Sequence, residues 1–319
     1  MNSSYDRKKK FVEKITPYLF ISPWLVGFIA FTAGPLVLSL IMSFHDWPVI
    51  GDATFVGLGN YIRMFTEDSQ FWSSLKITFK FAVLFVPLNL LIALILAVLI
   101  ATNVKGTNLF RVIFYIPSVV SGVAVAIIWG WILDSNNGIL NFLLGFVGID
   151  GPLWLRDPNW AIVAIVIASA WGVGNMMLIF YTDIRSIPSS YYEAAVIDGA
   201  TPWQQFIKIT VPVITPTILF NLVTSTITAL QQLTLVILLT GGGPLKSTYF
   251  YGLYVYENAF KHHRLGYASA NAWIMFIIIL VLTMVIFRSS SAWVFYENEV
   301  KTKKKPKKVK IVKGVRENG

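Results

Sequence analysis

Nine residues within the apolar stretches of this 319-residue chain carry side chains that could hold a solute. They are Asn221, Thr224, Thr228, Gln231 and Gln232 in one stretch, Trp171 and Asn175 in a second, and Asn271 and Trp273 in a third. Amides and hydroxyls match the hydroxyls of an uncharged polar solute, and indole faces suit its C–H surfaces. A buried amide left unpaired costs about 1–3 kcal/mol, so each of these groups needs a partner, either a ligand or a neighbouring helix. Consecutive glutamines on a helix point about 100° apart, so at most one of Gln231 and Gln232 faces a pathway squarely. Thr228 and Thr224 stand three and seven residues before Gln231, which places these three on one helical face and favours Gln231.

Other chemistries lack their parts. Away from their ends the apolar stretches contain no Asp, Glu, Lys, Arg or His, the groups that ion-coupled transporters and proton pumps place inside the membrane. There is no cysteine, and the three histidines, two of them adjacent at His262 and His263, form no ligand set at metal spacing. No GxxxxGK[ST] sequence is present to cradle nucleotide phosphates. If this chain moves a solute uphill, the energy must come from a partner.

The positioning elements follow from composition. With 55% hydrophobic and 13% charged residues and a mean hydropathy of +0.65, the chain reads as an all-α polytopic membrane protein. Six runs reach the ~20 residues needed to cross a bilayer, at about 17–44, 73–102, 111–133, 160–182, 213–240 and 269–287. Residues 1–16 are polar and basic and lead into a run long enough to span, so they predict an uncleaved first span rather than a signal peptide. With both termini inside, the cytoplasmic segments hold 19 of the 26 Lys and Arg residues and the outer loops 5; Lys76 and Lys80 lie at the outer end of the second span, where they can snorkel. The permease domain then covers 17–288, with a cytoplasmic loop at 183–212. Residues 289–319 form a basic tail expected to be disordered; its lysine run, Lys301 to Lys313, is expected to be held near anionic lipid headgroups and has no interleaved aromatics to suggest nucleic acid.

That loop contains SSYYEAAVIDGATPWQQFIKITVP, from Ser189 to Pro212. Ser190 and Glu193 have capping-box spacing and Gly199 sits where a helix ends in a left-handed residue. Thr201 then reads as a second N-cap, Pro202 as the first helical residue and Gln204 as the third, with Pro212 limiting the helix that follows. Two short helices joined at a glycine make a knob that must project from the bilayer.

Glu193-Ala194-Ala195, then Gly199, Ile209 and Val211-Pro212, resembles the "EAA" loop of permease subunits of ATP-binding-cassette importers, with Val211 where leucine is more usual. Asp198-Gly199-Ala200 followed by Trp203 and Phe206 is similar to the carbohydrate-uptake branch. The likeness extends through Pro23-Trp24, Gly34-Pro35 to Ser43-Phe44, Gly57 to Tyr61, Tyr115-Ile116-Pro117, Ile128-Trp129 and Thr240 to Pro244. Read alone, these Pro and Gly positions are also what span kinks and loop turns require.

The resemblance implies a type I importer permease in the cell membrane of a bacterium. Glu193, Ala194, Ala195, Asp198, Gly199, Ala200, Ile209 and Pro212 would couple to a dimeric cytoplasmic ATPase, which would bind ATP and Mg; this chain would hold no cofactor. A second, similar permease would share the pathway, and an extracytoplasmic binding protein would deliver the solute. Such permeases also place substrate-facing polar residues near the Thr240 stretch, which bears on Gln231 and Gln232. The alternatives are a permease for another organic solute such as glycerol phosphate, an ion-coupled secondary transporter, and a membrane scaffold without transport. Lys76 and Lys80 keep an acidic saccharide open beside a neutral one.

Overall fold

A computed structural model describes residues 3–102 and 106–295, with side chains from residue 13 onward. Among the described residues the regular elements are helices apart from one short hairpin, His45–Asp46 against Thr54–Phe55, and a bridge between Pro48 and Arg264. Three helical segments are long and apolar enough to cross a bilayer: Glu13–Ser43, Ser69–Ala101 and Leu265–Ser290. Three bent pairs pass the same test together, giving up to six crossings if each pair is one span.

Three of the expected runs are broken into shorter helices. The expected span 111–133 is α5 (Thr107–Val119) and α6 (Gly122–Ile132), with the Ser121 hydroxyl accepting from the Ala124 N–H as a new N-cap. The expected span 160–182 is α8 (Pro158–Ala170) and α9 (Gly174–Ser186), interrupted around Gly172. The expected span 213–240 ends early: α13 runs Thr215–Leu230, and α14 (Thr234–Leu239) starts afresh after three non-helical residues. Hydropathy averages over a window and does not register a cap or a glycine within it.

Two wide helical turns share one cause. Pro35 and Pro212 have no N–H to give to the carbonyl four residues back. Before each, the helix widens, at Ile29–Ala33 and at Phe206–Thr210, and the residue preceding the proline donates five residues back, Gly34 to Ile29 and Val211 to Phe206.

The described residues fall into two compact units. One comprises Met1–Phe85, Val120–Ser169 and Thr226–Thr283. Its aromatic core joins Phe71, Phe81, Phe85, Phe250 and Tyr251, with Phe81 and Phe85 stacked at 5.2 Å. Here the Gly57 to Tyr61 motif closes the end of a helix: the Asn60 amide donates to the Ser43 and His45 carbonyls at 2.9 Å, and the Tyr61 hydroxyl to Ser43 Oγ. The Thr240 to Pro244 motif makes a tight turn in which Gly241 and Gly242 have φ of 57° and 87°; a Cβ on Gly242 would meet Leu253 and Tyr249 at 2.8 Å.

The other unit comprises Val86–Val119, Ala170–Ser225 and Met284–Gly319. Its core packs Ala93, Ala97 and Ile100 of α4 (Ser69–Ala101) with Val173, Met177, Phe180, Ile187 and Ile214. Gly174 lets α9 approach α5 closely, since a Cβ there would lie 2.6 Å from the Phe114 carbonyl oxygen. Across the same pair Arg111 donates to the Tyr181 hydroxyl at 2.5 Å and sits 4.4 Å from a ring centroid.

Candidate functional site

The segment from Pro188 to Thr215 forms the knob. Its first helix, α10 (Ser189–Ile197), follows Pro188 directly and has no side-chain cap, so the expected Ser190–Glu193 capping box is absent. Ser190 is already inside the first turn and cannot reach back to cap it. The C-terminal end is as expected. Gly199 has φ of 75°, the Gly199 N–H donates to the Val196 carbonyl, and the Ala200 N–H to the Ala195 carbonyl, which together close the helix in a Schellman motif. Thr201 then caps α11 (Pro202–Gln205) with a complete capping box: its hydroxyl accepts from the Gln204 N–H at 3.3 Å, and the Gln204 side chain accepts from the Thr201 N–H at 2.9 Å.

Within its own unit the knob is anchored at its base and open at its tip. Tyr192 shares a 2.9 Å hydrogen bond with the buried Thr210 hydroxyl, tying α10 to the wide turn. Thr217 donates to Asp183 Oδ2 at 2.6 Å, tying α13 to the end of α9. By contrast Glu193, Ala194, Asp198 and Gly199 are exposed, as are Val196, Ile197 and Trp203, Ala195 is half-buried, and nothing lies within 4 Å of a Cβ built on Gly199. Two cavities border the knob. One of about 450 Å³ is lined by Thr102, Arg185, Tyr192, Pro202 and Phe206. The other, of about 640 Å³, includes Asp183, Ala194, Lys208, Ile209 and Pro212. Ala194, Ile209 and Pro212 therefore meet at one cavity wall, while Glu193, Asp198 and Gly199 face outward, and Ala200 joins the two short helices. The helices on either side of Ile214 bend by 66°, so a push on the knob reaches α13 at an angle rather than along its axis.

The nine solute-binding candidates divide between the two units. In the second, Asn221 is fully buried, with no partner for its side-chain nitrogen; Thr224 donates to the Phe220 and Asn221 carbonyls; Trp171 is half-buried and Asn175 exposed. In the first, Thr228 and Gln231 are exposed, and the Gln232 amide reaches Ser169 Oγ at 3.3 Å while its oxygen accepts from the Leu233 N–H. Gln231 lies just past the last residue of α13, so the helical face it was expected to share with Thr228 and Thr224 ends before it. Asn271 is buried, with its amide donating to the Tyr267 carbonyl and its oxygen accepting from the Tyr251 hydroxyl. Trp273 donates to Ser39 Oγ at 3.2 Å.

Sequence reasoning passed over an acidic cluster in the first unit. Asp68 accepts hydrogen bonds from the Tyr254 and Tyr267 hydroxyls at 2.7 and 2.9 Å and from the Gln70 and Phe71 N–H groups. Burial alone would raise its carboxyl, but these four donors outweigh burial and hold it below the ordinary carboxylate range. Beside it the Tyr249 hydroxyl donates to Glu257, which also pairs with Lys261. No local pattern could have revealed the cluster, because Asp68 and Tyr267 are 199 residues apart. Among the described residues, no group of three or more His, Asp or Glu could hold a metal ion.

Comparison with known proteins fits this geometry. The chain is 44% identical over 291 residues to a probable ABC transporter permease, YesP, of Bacillus subtilis, covering 90% of this chain and 94% of that protein. It is 35% identical over 280 residues to the lactose transport system permease LacF of Rhizobium radiobacter, covering 86% and 93%. A chain of a bacterial alginate ABC transporter, solved with an alginate pentasaccharide-bound periplasmic protein, superposes with a TM-score of 0.78 at 25% identity, covering 88% of this chain and 96% of that one. Residues 89–295, well over half the chain and including the whole knob, match the model for the inner membrane component of binding-protein-dependent transport systems. This protein is a multi-pass membrane permease and belongs to that family.

Proposed function

We propose that the chain is one of two permease subunits of a carbohydrate importer in a bacterial cell membrane. The observation that carries this reading is the knob: two short helices closed at Gly199 and Thr201, with an exposed tip, a Tyr192–Thr210 bond across their base, and the helices that flank the knob tied to each other by Thr217 and Asp183. An exposed tip on an anchored base is the geometry needed to receive a push from outside the chain. The lactose relative and the pentasaccharide carried by the alginate importer's partner support a saccharide as cargo.

In this reading Glu193, Asp198 and Gly199 present the tip to a dimeric ATPase, which binds ATP and Mg, while Ala194, Ile209 and Pro212 hold the base. Nucleotide-driven closure of the ATPase displaces the knob, and the bend at Ile214 converts that displacement into rotation of α13, shifting the population between inward- and outward-open states. The amides and hydroxyls of Asn221, Thr224, Thr228, Gln231 and Gln232 lie along or just beyond that moving helix. Among them Asn221 has an amide with bonding capacity to spare, and Gln231 is exposed where the helix ends. The solute arrives on an extracytoplasmic binding protein.

The test is to purify the chain with the proteins that accompany it, identify the ligand on the binding protein, and measure its uptake into vesicles. A saccharide taken up only with ATP supports the proposal. Uptake driven by an ion gradient without nucleotide, or a non-saccharide ligand, contradicts it.

A further inference from the structure

The connection between α6 and α8 carries a further helix, α7 (Ile139–Phe146), to which the coupling and cargo readings give no task. Its sequence, ILNFLLGF, holds no charge. Ile139, Phe142, Leu143 and Phe146 follow the i, i+3, i+4, i+7 spacing of one helical face, and each is between 54% and 77% exposed. Leu140 and Leu144, on the opposite face, pack into a cluster with Trp129 and Leu133 from the α6 side and Ala164 and Ile167 from α8. At 1.5 Å per residue, Trp129 is about 5 Å back from the end of α6, and Ala164 and Ile167 are about 9 and 14 Å into α8. The helix therefore lies against the flanks of α6 and α8, below their ends, instead of standing above them.

A connection held against a bilayer must satisfy its own backbone. Two side chains do so here. The Asp134 carboxylate accepts from the Asn136 and Asn137 N–H groups at 3.0 and 2.8 Å, closing the turn into α7. The Asn141 amide donates to the Ser135 and Pro152 carbonyls at 3.0 and 3.3 Å, and its oxygen accepts from the Trp154 indole N–H at 2.6 Å. The one polar side chain of α7 is thereby turned inward, and no side chain on the outward face can form a hydrogen bond. An unbroken apolar face of this kind marks contact with lipid or with protein. Its place decides for lipid. It sits at the level of the first two to three turns of α8, and exposed Trp131 and Trp160 stand at the ends of α6 and α8 that α7 connects, the residue type that marks a bilayer boundary.

We propose that α7 is an in-plane membrane helix whose Ile139, Phe142, Leu143 and Phe146 face is covered by the acyl chains of the outer leaflet, so that this connection is closed to the binding protein. The chain contains no cysteine, so single cysteines carry a label without background. Ile139→Cys, Leu143→Cys and Phe146→Cys, with Asn137→Cys as the control on the exposed turn, are each labelled with a nitroxide. The importer is assembled with cysteine-free partners in phosphatidylcholine vesicles. Collision of each label with oxygen, which enters hydrocarbon, is then compared with collision with a water-soluble nickel chelate. The three labels on α7 should keep oxygen collision and lose nickel collision, while the label at 137 keeps nickel, and adding the binding protein should change none of these. Nickel collision at 139, 143 and 146 places the face in water and overturns the proposal. Loss of both collisions there, with or without the binding protein, places the face under a protein and overturns it as well.

Discussion

Gly199 separates backbone geometry from contact with a partner. Its φ of 75° is left-handed, and a side chain there meets nothing of this chain within 4 Å. An alanine therefore causes no clash but carries the left-handed strain of roughly 1–2 kcal/mol. That cost falls on the Schellman turn, and it lowers the ratio of correctly turned to unturned knob by about 5- to 30-fold without unfolding the spans. Asparagine tolerates the same backbone and should restore most of the activity lost in Gly199→Ala. Aspartate has the same shape and a similar left-handed tolerance, so any gap between Gly199→Asn and Gly199→Asp measures the effect of a negative charge at the docked tip. The assay is ATP-dependent uptake by the reconstituted importer, with ATPase co-purification and thermal unfolding measured alongside. Expected is the order Gly, then Asn, then Ala and Asp, with unchanged melting. If Asn is as defective as Ala while the complex still assembles, the requirement at 199 is not for a left-handed backbone and the argument fails.

Other substitutions test the remaining parts. Thr201→Ala removes the hydroxyl half of the capping box, leaving the Gln204 side chain on the backbone N–H of residue 201, and should cost the second knob helix about 1 kcal/mol, seen as faster amide exchange over 202–206 with the spans unaffected. Gly174→Ala should lower the melting temperature through overpacking of about 1–3 kcal/mol against the Phe114 carbonyl; normal melting would mean that α5 and α9 can separate at no cost. The Asp68 carboxyl is depressed below its ordinary value of 3.8, so its stabilisation is complete above that pH and is lost as pH falls through the lower folded value. Asp68→Asn should flatten the acid side of the stability profile, and an unchanged acid limb would refute the role given to the Tyr254 and Tyr267 bonds.

What was legible in the sequence was local. The Thr201 cap, Pro202 at the first helical position and the Gly199 stop each depend on residues within one turn, and each is in place. Ser190 shows the limit of local patterns: the helix starts two residues earlier than a Ser190 cap would place it, directly after Pro188, and leaves the serine inside it. Hydropathy located the apolar runs but not their breaks, since Ser121 and the residues around Gly172 interrupt helices without changing the average. Gln231 was placed on a helical face because nothing nearby in sequence announces that α13 stops at Leu230. Contacts over long separations were out of reach. Thr217 with Asp183, Phe295 with Thr215 and Tyr267 with Asp68 join segments 34, 80 and 199 residues apart, and no periodicity encodes them.

If the knob couples the chain to an ATPase, energy enters through its exposed tip and not through the spans. The most direct measurement is saccharide accumulation in vesicles containing this chain, first alone and then with its partner permease, ATPase and binding protein. Accumulation should require the full set and ATP, and should vanish when the ATPase is omitted. Accumulation by this chain alone, or driven by an ion gradient without nucleotide, would contradict it.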